Sequence, residues 1–341
     1  MKGSEPAGRP RGLSVRLPLL LQQAWRSNAA WLSLLVPLSL LYRSVLLVRG
    51  AFYRWSLRPI YRAPVPLVVV GNISVGGTGK TPVVSALARA LRERGLRVGV
   101  VSRGYGAAPG PFPRRVTADS DWSDSGDEPL MIARQTACPV VIAPLRVAAV
   151  KELLRWQPVD IVIADDGLQH LAMARDMEIV LLDPTIGLGN GRLLPAGPLR
   201  EPPARLSQCD VILQRDAADA ARRFSYRCQE FVNIQSGEKV PANAFAGRSV
   251  LAMAGIANPE NFFATLSHLG LDVFGRAYRD HHPFTADDFS DARGRPIIMT
   301  EKDAVKCEAF AGPEVWFLRI SAELPADLVE QVAGLAAPAY H

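Results

Sequence analysis

The apolar positions of this 341-residue chain alternate between short β-branched runs and segments with helical spacing. Residues 65–70 form one such run, and residues 82–95 place apolar side chains on one helical face. Strands that alternate with helices favour a mostly parallel sheet with right-handed crossovers. The same pattern predicts further strands at 97–102, 138–143, 159–164, 178–183, 210–213, 249–254, 296–300 and 315–320, and further helices at 147–156 and 259–269.

A glycine-rich loop joins the first predicted strand to the first predicted helix. Residues 71–81 have the sequence Gly-Asn-Ile-Ser-Val-Gly-Gly-Thr-Gly-Lys-Thr, and strand, loop and helix together have the layout of a phosphate-binding P-loop. Glycines let backbone N–H groups turn toward phosphates, and the helix N-terminus adds positive potential. Lys80 is expected to reach the β- and γ-phosphates of ATP, and the Thr81 hydroxyl to ligate Mg²⁺. The residues expected to bind the nucleotide are Gly76, Gly77, Thr78, Gly79, Lys80 and Thr81.

One position of this loop departs from the usual pattern, because Ser74 stands where a P-loop normally has its first glycine. A glycine-rich turn that binds no ligand is the alternative interpretation. The strand before the loop and the helix after it favour the P-loop.

Basic residues are concentrated at the N-terminus. Residues 1–63 contain ten Lys or Arg and one acid, a net charge of +9, whereas the whole chain carries +6, so residues 64–341 sum to −3. A nucleic-acid-binding protein carries its basic patch on the folded domain, so no nucleic-acid partner is predicted.

The N-terminal segment is also rich in leucine and aromatic residues. Its longest uncharged run, residues 27–42, is 16 residues long and includes Pro37. A helix that spans a membrane needs about 20 apolar residues, so this run is too short. Interfacial helices fit better, with aromatic rings at the headgroup boundary and arginines facing anionic lipid. Packing of these helices into the protein's own core is the alternative.

The strand–helix alternation loosens near residues 235–248 and then restarts. We therefore predict three parts: an amphipathic, membrane-associated helical segment at 1–63, a P-loop core at 64–235 and a smaller C-terminal α/β domain at 236–341. The predicted fold class is α/β, with a P-loop NTPase-like, mostly parallel sheet flanked by helices. The four scattered cysteines have no metal-ligand spacing and are expected to be reduced.

Two acidic residues, Asp165 and Asp166, follow the apolar run of residues 159–164. A strand tip beside a P-loop places a carboxylate where it holds Mg²⁺. A solvated turn is the alternative interpretation, and the sequence does not separate the roles of the two carboxylates.

Other charged residues follow predicted strands or begin predicted helices. Asp127, in Gly-Asp-Glu-Pro, is explained on its own as a helix N-cap, with Pro129 in the first turn. Arg146 and Arg200 lie in or beside loops at the expected ligand edge of the sheet, where a guanidinium pairs well with phosphate. A surface ion pair explains either arginine equally well.

Seven motifs follow one another along the chain, and together they resemble tetraacyldisaccharide 4'-kinase, the lipid A kinase of Gram-negative bacteria. The resemblance runs from about residue 15 to about residue 320, and the serine at position 74 is part of that family's loop. The motifs are Gly-Asn-Ile-Ser-Val-Gly-Gly-Thr-Gly-Lys-Thr-Pro (71–82), Ser-Arg-Gly-Tyr-Gly (102–106), Gly-Asp-Glu-Pro (126–129), Asp-Asp-Gly-Leu-Gln-His (165–170), Leu-Leu-Pro-Ala-Gly-Pro-Leu-Arg-Glu (193–201), Asp-His-His (280–282) and Thr-Glu-Lys-Asp (300–303).

The resemblance implies an activity and a location. It implies ATP-dependent phosphorylation of the 4'-hydroxyl of tetraacyldisaccharide 1-phosphate, giving lipid IVA in lipid A biosynthesis. It also implies a monotopic enzyme on the cytoplasmic face of the bacterial inner membrane. The expected partners are the glycolipid substrate and an anionic membrane surface, and we expect a monomer.

The resemblance also implies site residues. The family's catalytic Asp and His carry over to Asp127 and His281, with His282 left as an alternative, and Lys80 completes the catalytic set. The motif at 300–303 is expected to contact the nucleotide. Substrate contacts are expected from Glu128, Arg146, Arg200 and Glu201.

A membrane-associated P-loop switch ATPase is the alternative function. A switch has no need of an acid paired with a histidine. The Thr-Glu-Lys-Asp motif also lacks the Asn of the guanine-recognising pattern Asn-Lys-x-Asp.

Overall fold

The computed structural model describes residues 13–76, 79–183, 187–290, 292 and 294–336, with only the backbone described for residues 13–19. Gly77 and Thr78, two of the predicted nucleotide-binding residues, lie outside the described residues. Within the described ranges the chain forms one mixed, mostly parallel sheet flanked by helices, which confirms the predicted fold class.

Thirteen strands make up the sheet in the described part of the chain. Their order across the sheet is β11-β10-β12-β13-β8-β7-β6-β1-β5-β2-β4-β3, and β9 pairs with β8. The antiparallel pairs are β3 with β4, β8 with β9 and β8 with β13. The strands are β1 (Leu67–Gly71), β2 (Val98–Ser102), β3 (Arg114–Val116), β4 (Val140–Ile142), β5 (Ile161–Asp165), β6 (Met177–Leu182), β7 (Val211–Arg215), β8 (Arg223–Asn233), β9 (Lys239–Pro241), β10 (Ser249–Ala254), β11 (Asp272–Ala277), β12 (Ile297–Thr300) and β13 (Val315–Glu323).

The α-helices connect these strands, precede the first strand or follow the last one. Short 3-10 helices cover Ala30–Leu35, Pro203–Gln208, Ala220–Arg222 and Ala286–Phe289. The α-helices are α1 (Leu13–Ser27), α2 (Val36–Arg54), α3 (Lys80–Glu93), α4 (Trp122–Ser125), α5 (Asp127–Thr136), α6 (Arg146–Trp156), α7 (Pro259–His268), α8 (Glu301–Ala304) and α9 (Ala326–Ala336).

The chain divides into two compact units. An N-terminal unit contains residues 1–57, 73–75 and 185–208, and a larger unit contains residues 58–72, 76–184 and 209–341. All the strands belong to the larger unit. The predicted boundary at 235/236 lies just after β8, which pairs with β7 on one side and β13 on the other. The strands before this boundary and those after it belong to the same unit. The division at 235/236 stays a prediction.

Strand β8 is the main element absent from the sequence analysis. Its residues alternate in burial along most of its length and include several charged side chains, so it lacks the continuous apolar run that marks a buried parallel strand. The same explanation holds for β11, in which exposed and half-buried positions alternate.

The N-terminal unit contains a helical stretch longer than the uncharged run of the sequence. Ala30–Arg54 is 25 residues long, has a mean hydropathy of 1.8 and is long and apolar enough to cross a membrane. Only 11% of its most apolar part is buried within the protein. The helix continues past Arg43, which ended the uncharged run, and Pro37 is accommodated in the first turn of α2.

One face of α2 is held within its own unit by hydrogen bonds. The Ser39 hydroxyl donates to the carbonyl oxygen of Leu193 at 2.9 Å and accepts from the backbone N–H of Ala196 at 3.0 Å. The Tyr42 hydroxyl donates to the carbonyl oxygen of Arg200 at 3.0 Å. The opposite face is an exposed apolar stripe at helical spacing, formed by Leu34, Leu38, Leu41, Val45, Val48, Phe52 and Trp55.

The core of the larger unit is tested by a substitution in α3. Leu87 is fully buried in the cluster formed by α3 and the central strands. We expect Leu87→Ala to lower the free energy of unfolding by about 2–5 kcal/mol, since it removes apolar contacts and leaves a cavity. Urea unfolding followed by circular dichroism measures the change. Glu93→Ala, at an exposed position of the same helix, is the control and should change stability by less than about 0.5 kcal/mol. Equal effects would contradict this packing.

Candidate active site

The P-loop lysine is held by two groups at neighbouring strand ends. Strand β1 ends at Gly71, and α3 begins at Lys80, so the predicted strand–loop–helix layout is confirmed. The Lys80 ammonium donates to Asn72 Oδ1 at 3.1 Å and lies 3.4 Å from Asp166 Oδ1. Thr81 follows in the first turn of α3 and is buried.

Gly79 occupies a position that requires glycine for two reasons. Its φ is +75°, in the left-handed region that disfavours residues with a Cβ. A Cβ added there would also overlap the hydroxyl of Tyr226, which donates to the carbonyl oxygen of Gly79 at 3.2 Å. Tyr226 on β8 thus packs directly against the loop, a contact that the sequence gave no signal for.

The two acidic residues at the end of β5, Asp165 and Asp166, have different environments. Strands β1 and β5 are parallel neighbours, with Val70 opposite Asp165. Asp165 is buried and accepts from the Ser102 hydroxyl at 3.0 Å, while its Oδ1 is buried without a hydrogen-bond partner. Asp166 has a φ of +50° and a side chain 30% exposed.

Burial raises the pKa of Asp165 to about 7, and the charges of Glu128 and Asp166 act in the same direction. A carboxyl of this kind gains most from a nearby cation, because a cation favours its ionised form. The orphan Oδ1 and the oxygen-only donor set therefore fit the chemistry that Mg²⁺ prefers.

Arg146 is buried at the strand ends, and its expected contact with substrate stays a prediction. The side chain was expected to contact substrate, but the residue is only 1% exposed. Its guanidinium donates to the carbonyl oxygens of Ala143 at 2.9 Å and Asp165 at 3.1 Å, so it ties the ends of two strands together. Burial lowers its pKa to about 10, against the opposing effect of the nearby carboxylates.

A buried carboxylate and a histidine meet in the larger unit. Asp127 is the first residue of α5, where the helix N-terminus favours a negative charge. The Nδ1 atom of His281 lies 2.9 Å from Asp127 Oδ2 and 3.1 Å from Oδ1. Residues 154 positions apart in sequence are thus in hydrogen-bond contact, and Asp127 is only 3% exposed.

The adjacent histidine, His282, has a different setting. Its ring stacks on Tyr278 with centroids 4.6 Å apart and lies edge-on to Phe284 at 4.8 Å. Its Nε2 is 3.4 Å from Asp288 Oδ2. His281, and not His282, therefore contacts Asp127.

Two lysines place positive charge around this pair. Lys302 Nζ is 3.1 Å from His281 Nε2, and Lys306 Nζ is 3.8 Å from Asp127 Oδ2. Burial alone would raise the pKa of Asp127, but the hydrogen bond from His281 and the charges of Lys302 and Lys306 together hold it below its usual range. Asp127 is thus a carboxylate, not a carboxylic acid, at neutral pH.

The two lysines are themselves held by acids. Lys302 Nζ lies 2.9 Å from Glu128 Oε1 and 3.1 Å from Asp280 Oδ1. Burial would lower the pKa of Lys302, but the charges of Glu128, Asp127 and Asp280 raise it well above its ordinary value. Lys306 is buried against Asp303, with Nζ 2.6 Å from Oδ1.

The sequence analysis singled out Lys302 only as part of a motif expected to contact nucleotide, and it did not mention Lys306. Lys302 lies in α8, whereas Lys306 lies beyond the end of that helix, so no helical pattern in the sequence linked the two lysines. The remaining expected substrate residues, Arg200 and Glu201, lie in the N-terminal unit. There Glu201 pairs with Arg205 at 3.2 Å.

Comparisons with known proteins agree on one family. The family described as Tetraacyldisaccharide-1-P 4'-kinase, LpxK, matches residues 31–337. A tetraacyldisaccharide 4'-kinase of Pseudomonas aeruginosa is 48% identical over 303 residues, which cover 88% of this chain and 91% of that protein. One from Azotobacter vinelandii is 48% identical over 306 residues, 89% of this chain and 92% of that protein.

A solved structure is similar over most of the fold. It is the "apo" form of LpxK from Aquifex aeolicus in complex with ATP, and it matches with a TM-score of 0.73 and 29% sequence identity. The match covers 89% of this chain and 98% of that one.

The contact between Gly79 and Tyr226 is open to a direct test. Gly79→Ala should lower the unfolding midpoint in urea more than Gly95→Ala, because Gly95 shares a positive φ but has open space around it. The Gly95 variant carries the backbone strain alone, about 1–2 kcal/mol. Adding Tyr226→Phe should restore part of the loss in the Gly79 variant and none in the Gly95 variant. Equal losses in the two glycine variants would contradict the overlap.

Proposed function

We propose a function on the premise that the chain belongs to the tetraacyldisaccharide-1-P 4'-kinase family. The protein transfers the γ-phosphoryl group of ATP to the 4'-hydroxyl of tetraacyldisaccharide 1-phosphate, giving lipid IVA. The observation that carries the proposal is the geometry of the larger unit. It holds a P-loop lysine and an ionised carboxylate that is paired with a histidine.

Asp127 acts as the general base in this proposal. The acceptor oxygen attacks the γ-phosphorus, its proton passes to an Asp127 carboxylate oxygen, and the bond to the β-γ bridging oxygen breaks to release ADP. His281 donates a hydrogen bond to the same carboxylate and fixes its direction. Lys80 neutralises negative charge on the transferred group.

Magnesium is supported by the donor set at the end of β5. Thr81, Asp165 and Asp166 are the residues that would hold it, and the orphan Oδ1 of Asp165 supports this choice. When bound, Mg²⁺ supplies charge neutralisation on the phosphates.

Glu128, in the larger unit, is assigned to the acceptor. The substrate contacts expected of Arg200 and Glu201, which belong to the N-terminal unit, stay predictions. Glu128 follows the proposed base directly and shares Lys302 with it. Arg146 is a framework residue in this proposal, since its guanidinium is buried and bonded to main-chain oxygens.

The N-terminal unit is proposed to bind the inner membrane from its cytoplasmic side as a monotopic, monomeric anchor. The exposed stripe of α2 is apolar over about five turns, and a helix of a soluble core would bury such a face. Arg43 and Arg54 are exposed on the same helix and suit an anionic lipid surface. A lipid acceptor with four acyl chains stays in the membrane, so the enzyme must work at that surface.

The direct test is transfer of labelled γ-phosphate from ATP to purified tetraacyldisaccharide 1-phosphate, in detergent with Mg²⁺. A labelled bis-phosphorylated lipid, made by the intact protein and not by Lys80→Ala, is the expected result. ATP hydrolysis that leaves the lipid unlabelled would instead support a P-loop switch ATPase. That alternative is disfavoured because a switch has no use for the Asp127–His281 pair.

Substitution of the proposed base gives a quantitative prediction. Asp127→Asn is expected to lower kcat by about 10²–10⁴-fold, because the amide is similar in shape but accepts no proton. The KM for ATP should change little, since a base acts at the chemical step. Steady-state kinetics with the lipid acceptor measures both constants. A raised KM with an unchanged kcat would mean that Asp127 is a structural residue.

The membrane assignment is tested by making the stripe polar. The triple variant Leu38→Gln, Leu41→Gln, Val45→Gln is expected to lower partitioning onto vesicles of phosphatidylethanolamine and phosphatidylglycerol by about 10-fold or more, since three apolar side chains lose their burial in lipid. Vesicle sedimentation measures the bound fraction, and circular dichroism checks folding. Leu145→Gln, at an exposed leucine of the larger unit, is the control. Unchanged binding of the triple variant would refute the assignment.

A further inference from the structure

We propose that Lys302 is a positioning residue that fixes the tautomer of His281, so that the Nδ1–H of His281 is held on the carboxylate of Asp127. The proposal rests on the proposed function, in which Asp127 takes the proton of the acceptor hydroxyl. It also assigns a role to the Thr-Glu-Lys-Asp motif other than the nucleotide contact expected from sequence.

The donors and acceptors around Lys302 match in number. An ammonium group has three N–H donors and no acceptor. Three acceptors lie within reach of Nζ: Glu128 Oε1 at 2.9 Å, Asp280 Oδ1 at 3.1 Å and His281 Nε2 at 3.1 Å. The side chain is only 16% exposed, so these groups supply most of its hydrogen bonds. An ammonium directed at Nε2 requires a lone pair on that nitrogen.

The other ring nitrogen of His281, Nδ1, must carry a proton. Nδ1 faces the two oxygens of Asp127 at 2.9 and 3.1 Å, and an ionised carboxylate only accepts hydrogen bonds. Nδ1 therefore carries the proton, and the ring is the neutral Nδ1–H tautomer. The tautomer follows from this hydrogen-bond network.

The two other forms of the ring place like groups face to face. An Nε2–H tautomer would direct an N–H at the Lys302 ammonium and set a lone pair against the Asp127 carboxylate. A doubly protonated ring would satisfy Asp127, but it would set a second cation 3.1 Å from the ammonium nitrogen. The distance from Nε2 to Asp280 Oδ1, 3.8 Å, is too long for a hydrogen bond that would compensate either form.

The ring has little freedom to rotate out of this arrangement. Tyr105 packs against it with ring centroids 4.6 Å apart, and the backbone N–H of His281 donates to the carbonyl oxygen of Gly255 at 3.1 Å. The backbone of His281 is also in the left-handed region, with φ +57°. This tight turn fixes the direction in which the side chain leaves the backbone.

This arrangement separates the roles of Asp127 and His281. Because Nδ1 already carries a proton and Nε2 accepts from Lys302, the imidazole has no free lone pair for the acceptor hydroxyl. His281 is therefore a donor that orients the base, and Asp127 is the proton acceptor. Lys302 acts through His281 and touches neither substrate nor transferred group in this proposal.

The direct test is the ¹⁵N spectrum of the histidine rings in full-length protein labelled at histidine. The chain has five histidines, and His281→Gln identifies the signals of interest. In the unsubstituted protein we expect a protonated Nδ1 and an unprotonated Nε2. Lys302→Met should abolish this pattern, whereas the ring signals of His282, which stacks on Tyr278, should not move.

Kinetics supply the second readout. Lys302→Met should lower kcat about 10- to 100-fold and change the KM for ATP by less than about 2-fold, because the loss falls on the chemical step. Lys302→Arg keeps a cationic donor and should recover part of kcat together with the Nδ1–H pattern. Lys239→Met is the matched control, since Lys239 is an exposed lysine that pairs with Glu230 at 3.3 Å, and it should behave as the unsubstituted protein.

Several outcomes would overturn the proposal. An Nδ1–H pattern that persists in Lys302→Met would show that the lysine does not set the tautomer. A raised KM for ATP with an unchanged kcat would make Lys302 a nucleotide contact. Should Lys302→Met fail to fold, Asp280→Asn loosens the same ammonium from an exposed carboxylate, and it should give the same changes at smaller size. Unaltered spectra and kinetics there would count equally against the proposal.

The spectroscopic result is independent of the acceptor's identity. If the unsubstituted protein failed to phosphorylate the lipid, the proposed function would fall while the tautomer assignment stood. If the lipid were phosphorylated and the ring spectrum differed from the expected one, only the role of Lys302 would fall.

Discussion

The charge state of Asp127 is the constraint on which the proposed chemistry depends. Removing a carboxylate from water raises its pKa, and a protonated Asp127 would have no use as a base. The pKa of Asp127 is nevertheless lowered, because the residue begins α5, accepts a hydrogen bond from His281 and lies near two lysines. Each lysine in turn requires acidic partners, because an unpaired buried cation is as costly as an unpaired anion. The cluster is therefore a network in which no single ion pair is independent of the others.

Two buried carboxylates of the larger unit, Asp127 and Asp165, have pKa values that are shifted in opposite directions. Asp127 is surrounded by cations and is ionised, whereas burial and nearby acids raise the pKa of Asp165 to about 7. Two carboxylates in one site whose pKa values are shifted in opposite directions usually have different functions. A carboxylate with little positive charge around it is suited to binding a metal cation. A carboxylate whose charge is already neutralised by nearby cations is suited to proton transfer. In the proposed function the same residue type thus serves two roles, because the fold gives each position different neighbours.

Sequence patterns predicted local elements well and long-range contacts poorly. The buried runs that became β1, β5 and β12 were recognisable because both faces of these strands are apolar. Strand β8 was missed because its alternating burial resembles a loop rich in charge. Asp127 and His281 were paired by family resemblance alone, since nothing local links residues 154 apart. The burial of Arg146 was equally unreadable, because an arginine after a strand has the same sequence signature whether it faces a ligand or a main-chain carbonyl.

The division of the chain into two units follows from what each must bury. The larger unit covers its sheet with helices such as α3, whose apolar face lies in the core. The N-terminal unit satisfies one side of α2 through Ser39 and Tyr42 and leaves the opposite side apolar and exposed. In the proposed function this face enters lipid, and hydrophobic transfer supplies the free energy for that step. Hydrogen bonds from Ser39 and Tyr42 fix the orientation of α2 within the N-terminal unit, and the apolar stripe stays exposed.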